Sequence, residues 1–69
     1  MREKIERVLL LATSEWAVTR LNAQYTLWVK ETPVALAYQL VSEYGTVVCE
    51  GSGLGANYRI VKRLLVALG

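Results

Sequence analysis

The sequence predicts an α+β domain of order α-β-β-β-α, a three-stranded antiparallel sheet with two helices packed on one face. Three observations predict it. Apolar residues recur at helical spacing at both ends of the chain. They alternate with polar residues in the middle. A glycine-bearing turn joins two of the alternating stretches. A chain of 69 residues makes one small domain, 1–69, and such a chain is marginal alone because it buries only about 60% of its unfolded surface.

Arg2 to Thr13 reads as the first helix. Ile5, Val8, Leu9 and Ala12 fall on one face, and Leu10 and Leu11 widen it. Glu3 and Glu6 suit the positive end of the helix dipole, and Glu3 stands four residues before Arg7 for a modest ion pair. Trp16 continues the stripe from Ala12, so the helix end falls between Ser14 and Asn22, with about Arg20 as a candidate last residue.

Ala23 to Glu31 reads as the first strand. Tyr25, Leu27 and Val29 form an apolar face, and the other face is polar except for Trp28. That Trp either stays exposed as an interface anchor or packs on a neighbouring strand or loop. Thr32-Pro33 breaks the strand, since Pro offers no amide hydrogen to a ladder. Val34 to Ser42 is the second strand. Glu43-Tyr44-Gly45 is a turn in which Gly45 takes positive φ, and Thr46 to Cys49, extending to Glu50, is the third strand. Three strands with short links form a meander.

Gly51, Gly53 and Gly55 read as a strand-to-helix hinge. The run lacks the Lys-Ser/Thr of a phosphate-binding loop, so a hinge is the simpler reading. The last helix spans Leu54 to Leu68, with Leu54, Tyr58, Val61, Leu65 and Leu68 on its core stripe. Ile60, Leu64 and Val66 add apolar surface beyond that stripe, so the helix is buried on more than one side or carries an exposed apolar patch.

Composition narrows the function. The chain has no His and no Asp, which removes imidazole-based acid–base catalysis, Ser-His and Cys-His pairs and imidazole metal sites. The six acids are all Glu. Glu15, Glu31, Glu43 and Glu50 are scattered over element ends and turns rather than paired, so no catalytic residue, metal site or cofactor is expected. Cys49 is the sole cysteine. It reads as a small buried hydrophobe and, as a free thiol, fits an intracellular protein, cytoplasmic or nuclear. A net charge of +2 is no polyanion-binding signature, while 54% hydrophobic residues exceed what one small core hides and point to association. No apolar run reaches the length of a membrane span, and the short apolar part of MREKIERVLLLA, with Glu3 and Glu6 before it, is wrong for a secretion signal.

The element order, and above all Tyr38 to Leu68, resembles the double-stranded RNA-binding domain family. Gly45, Gly51, Gly53, Ala67 and Leu68 stand where that family has its hairpin glycine, its G-x-G step and its terminal Ala-Leu, and Tyr25 and Pro33 also fit. HicA-type toxins share a similar order but depend on a His that this chain lacks. RNA-binding members carry a lysine cluster at the start of the last helix. Ala56, Asn57 and Ile60 occupy those positions here, and Thr32 to Ala35 lacks the family's loop His. The charges that drive duplex binding by counterion release are thus largely missing.

The pattern is similar to the degenerate, protein-binding members, such as the third domains of Dicer-partner proteins, whose T-V-C-x-G-S-G run is close to Thr46–Gly53. The resemblance implies a non-catalytic dimerisation module of an RNA-processing or RNA-silencing complex. Its partner would be a second copy, another such domain or a partner helix. The edge of the third strand, Thr46, Val47, Val48 and Cys49, would carry the interface, with Trp28, Ile60 and Leu64 as further contacts. Arg59, Lys62 and Arg63 are the candidate RNA contacts of an alternative weak duplex binder. A small inhibitor or adaptor that docks on a larger enzyme is the other alternative.

Overall fold

The structure, a computed structural model, describes residues 1–53 and 58–69, without the Tyr58 side chain. Its elements are α1 (Arg2–Leu10), β1 (Ala17–Arg20), β2 (Tyr25–Glu31), β3 (Leu36–Ser42), β4 (Val47–Gly53) and α2 (Tyr58–Leu68). The α+β class holds, but the sheet has four strands rather than three. They run antiparallel throughout in the order β1-β2-β3-β4. The expectations for Leu54, Gly55, Ala56 and Asn57, including the start of the last helix, lie outside the described residues, as does the core role of the Tyr58 side chain.

The additional strand replaces the expected extension of the first helix. Helix α1 stops at Leu10, where the Leu11 and Ala12 amides still donate to Arg7 and Leu9. Then Thr13 takes over: its Oγ1 accepts from the Glu15 amide at 3.3 Å, and its carbonyl accepts from the Glu31 amide at 2.7 Å. A side-chain oxygen that bonds the nearby backbone competes with helix continuation. Beyond it Val18 and Thr19 are β-branched and pair with Trp28 and Leu27 of β2. The helical spacing from Ala12 to Trp16 is therefore a coincidence of sequence. Leu10 and Leu11, expected to widen the core face, are exposed. Arg2 pairs with Glu6 at 3.0 Å, whereas among the described residues the expected Glu3–Arg7 pair is not formed.

Short polar turns set the register. Asn22 Oδ1 accepts from the Gln24 and Tyr25 amides, each at 2.8 Å, and so begins β2 at Tyr25 rather than Ala23. Thr32 Oγ1 accepts from the Ala35 amide at 3.0 Å and donates to the Ala35 carbonyl at 2.8 Å, which closes the Pro33–Val34 loop and delays β3 to Leu36. Between β3 and β4 the Gly45 amide donates to the Ser42 carbonyl at 3.0 Å, and Gly45 has φ +83 as expected. A three-residue hairpin loop ending in a left-handed residue needs glycine there. Nothing lies within 4 Å of a Cβ placed on Gly45. Gly45→Ala should therefore cost only the backbone penalty of about 1 kcal/mol, read as a small fall in thermal midpoint without loss of fold.

The register assigns the faces. On the inner face lie Leu27 and Val29 of β2, Leu36, Tyr38 and Leu40 of β3, and Cys49, Gly51 and Gly53 of β4. Both helices cover this face. Ile5 and Leu9 of α1 and Ile60, Val61 and Leu64 of α2 meet the strand residues in one core. Helix α2 lies toward β4, with α1 beside it. Strand β4 runs on to Gly53 instead of ending near Glu50, so Gly51 and Gly53 belong to the sheet rather than to a hinge. One register shift interrupts it: Leu40 pairs with Cys49 but Val41 with Val47, which leaves Val48 as the extra residue of a β-bulge.

Candidate functional site

Two free strands bound the sheet, β1 and β4. Among the described residues, neither makes a backbone hydrogen bond outside the sheet. Each therefore presents a row of unpaired amides and carbonyls, the usual template for a further strand.

At β4 the expected interface residues separate. Val47 and Val48 are 43% and 46% exposed at the edge. Thr46 precedes the strand and is tied into the turn: its amide donates to Ser42 Oγ at 3.2 Å and its carbonyl accepts from the Ser42 amide at 2.8 Å. Cys49 is half-buried and packs on the core. Val47, Val48, Cys49, Glu50 and Arg63 line a shallow depression of about 290 Å³ where β4 meets α2. Arg63 reaches this place because residue 51 has no side chain. A Cβ built on Gly51 would stand 2.7 Å from Tyr38 Oη and 3.2 Å from an Arg63 guanidinium nitrogen. The Arg63 side chain thus lies over the sheet at Gly51, next to the Tyr38 hydroxyl.

Two expected contacts are corrected. Ile60 and Leu64 are 4% and 0% exposed and belong to the core, so neither is available to a partner. The stripe that faces the sheet is Ile60, Val61 and Leu64, with Leu65, Ala67 and Leu68 at its margin, and Val66 is left exposed. Arg59 and Lys62 are exposed on α2 with Arg63.

Trp28 lies on the sheet face away from the helices, half-buried. Its ring meets Trp16 edge-on, with centroids 6.3 Å apart and planes at 69°, and Lys30 Nζ stands 5.9 Å from the Trp16 centroid. Trp28 therefore packs against the segment entering β1, and Trp16 is the more exposed of the two. Sequence reasoning missed Trp16 because its place in β1's approach was read as helix. The β-branched pair Val18-Thr19 before the turn-former Asn22 was the signal that could have revealed the strand.

Among the described residues, no three His, Cys, Asp or Glu side chains gather to hold a metal. No helix among them is long and apolar enough to cross a membrane.

Comparison with protein-family models, curated proteins and solved structures finds no match. A functional reading therefore rests on the surfaces just described.

Proposed function

We propose that this chain is a non-catalytic protein-interaction module that associates through the β4 edge, with a second copy of itself as the simplest partner. The observation that carries this reading is the exposure of Val47 and Val48 on an edge strand beside the Arg63 depression. Apolar side chains next to unpaired backbone donors and acceptors favour strand addition, and no Lys or Pro on β4 opposes it. The bulge at Val48 twists the edge locally and sets Val47 and Val48 at the start of the regular Cys49–Gly53 ladder. Kinship with the degenerate double-stranded RNA-binding domains, a place in an RNA-processing or RNA-silencing complex and an intracellular location are part of the same proposal. The β2-β3-β4-α2 order supports the kinship, and the additional strand β1 departs from the family's element order.

Val48→Lys is the test. Its side chain is exposed, so far-ultraviolet circular dichroism of the folded chain should not change, while association measured by sedimentation should weaken about tenfold or more. A variant that associates as strongly as the wild type removes β4 from the interface. Titration against a short labelled RNA duplex at low and moderate salt checks the other branch. The expected result is no binding at either salt. Binding that falls steeply with salt would return Arg59, Lys62 and Arg63 to the site and overturn the reading.

A further inference from the structure

The second free edge carries its own features. Lys4, Arg7 and Val8 of α1, Leu11 just after it, and Ala17 and Thr19 of β1 line a groove of about 270 Å³ on the helical side of the sheet. Its floor is apolar and its rim is basic. Among the described residues neither Lys4 nor Arg7 has an ion-pair partner; Glu6 is taken by Arg2. No acidic residue lines the groove. A fifth strand laid along β1 would send every second side chain into this groove.

We propose that the β1 edge and the α1–β1 groove bind an extended acidic peptide segment as a fifth strand, with glutamates at alternate positions. This is a site separate from β4. Alternate side chains on a strand stand about 6.7 Å apart and Lys4 and Arg7 about 4.5 Å apart along α1, a difference that long flexible side chains span. Two glutamates at i and i+2 therefore reach both cations. Leu11 and Ala17 offer apolar surface to the methylenes of such a glutamate. The intervening side chains fall on the opposite face, beside exposed Val18 and Trp16, and should be apolar. Charge complementarity also decides against a second copy here. Its β1, Ala17–Arg20, contains no acid, and its approach would bring two sets of Lys4 and Arg7 together.

The test is a titration of the chain with a blocked seven-residue peptide of alternating valine and glutamate, followed by tryptophan fluorescence at low salt, since Trp16 adjoins β1. Saturable binding is expected, and the same peptide with lysine for glutamate should not bind. Lys4→Glu with Arg7→Glu, both at exposed positions, should weaken binding about tenfold or more. Methylating alternate peptide amides should abolish it in one of the two phases, because only one set of amides faces β1. The wild type failing to bind overturns the proposal, as does equal binding by the double variant or by both methylated peptides. Val48→Lys should leave peptide binding unchanged, so this site and the β4 interface fail independently; loss of peptide binding in that variant would move the peptide to β4 and overturn the β1 assignment.

Discussion

Gly51→Ala is expected to lower the thermal midpoint by about 10 °C, the equivalent of about 2 kcal/mol in a domain of this size. The cause is steric rather than conformational. The new methyl would stand 2.7 Å from Tyr38 Oη and 3.0 Å from its Cζ, closer than real carbon contacts allow. Arg63 can swing aside at little cost, but Tyr38 is 2% exposed and its ring is fixed by the core. Strand β4 must therefore lift away from β3, or the ring must leave its rotamer. Pairing Gly51→Ala with Tyr38→Phe removes the nearer atom and should restore part of the loss, while Tyr38→Phe alone should change little. A thermal-melt double-mutant cycle reads this coupling directly. Additive effects would mean that the two residues do not meet. Because Arg63 rests over Gly51, the same substitution should also reshape the depression beside Val48 and weaken association through β4.

Leu64→Ala is expected to cost about 3 kcal/mol, a large share of the several kcal/mol that hold a chain of this length. Leu64 is fully buried and lies one helical turn after Ile60 and Val61, where α2 meets Ile5, Leu9 and Leu40. Removing three carbons leaves a cavity in a core too small to collapse around it. Chemical denaturation should show the lowered midpoint with an unchanged slope. Val66→Ala, on the exposed side of the same helix, should stay within about half a kcal/mol of wild type. The comparison also separates two roles for Leu64. A core residue lowers stability, and association falls only with the folded fraction. A contact residue would weaken association with no change in the melt of the dilute, dissociated chain, and that outcome would reverse the core assignment.

Much of the framework is legible along the chain. The alternation in Tyr25–Glu31 names its buried face, since Leu27 and Val29 are in the core, and Gly45 marks the hairpin with the positive φ its loop requires. Ile5 and Leu9 are legible as the core face of α1. The candidate edge is legible in part: Val47 and Val48 are exposed, while Thr46 is held in the turn and Cys49 turns inward.

Local pattern by itself determined the alternation of Tyr25–Glu31, the turn at Gly45 and the Ile5–Leu9 stripe of α1, because those features depend on neighbours in sequence. Only the tertiary structure decided the rest. Four residues such as Ala17–Arg20 carry too short a pattern to declare a strand, and β2 makes them one by offering its second ladder. On α2 the spacing points to a stripe through Val61, Leu65 and Leu68, and contact with the sheet instead turns Ile60, Val61 and Leu64 into the core, because the apolar set is wide enough for either rotation. The groove beside β1 arises where that short strand meets the Lys4–Arg7 flank of α1, a neighbourhood that exists only once the sheet has formed.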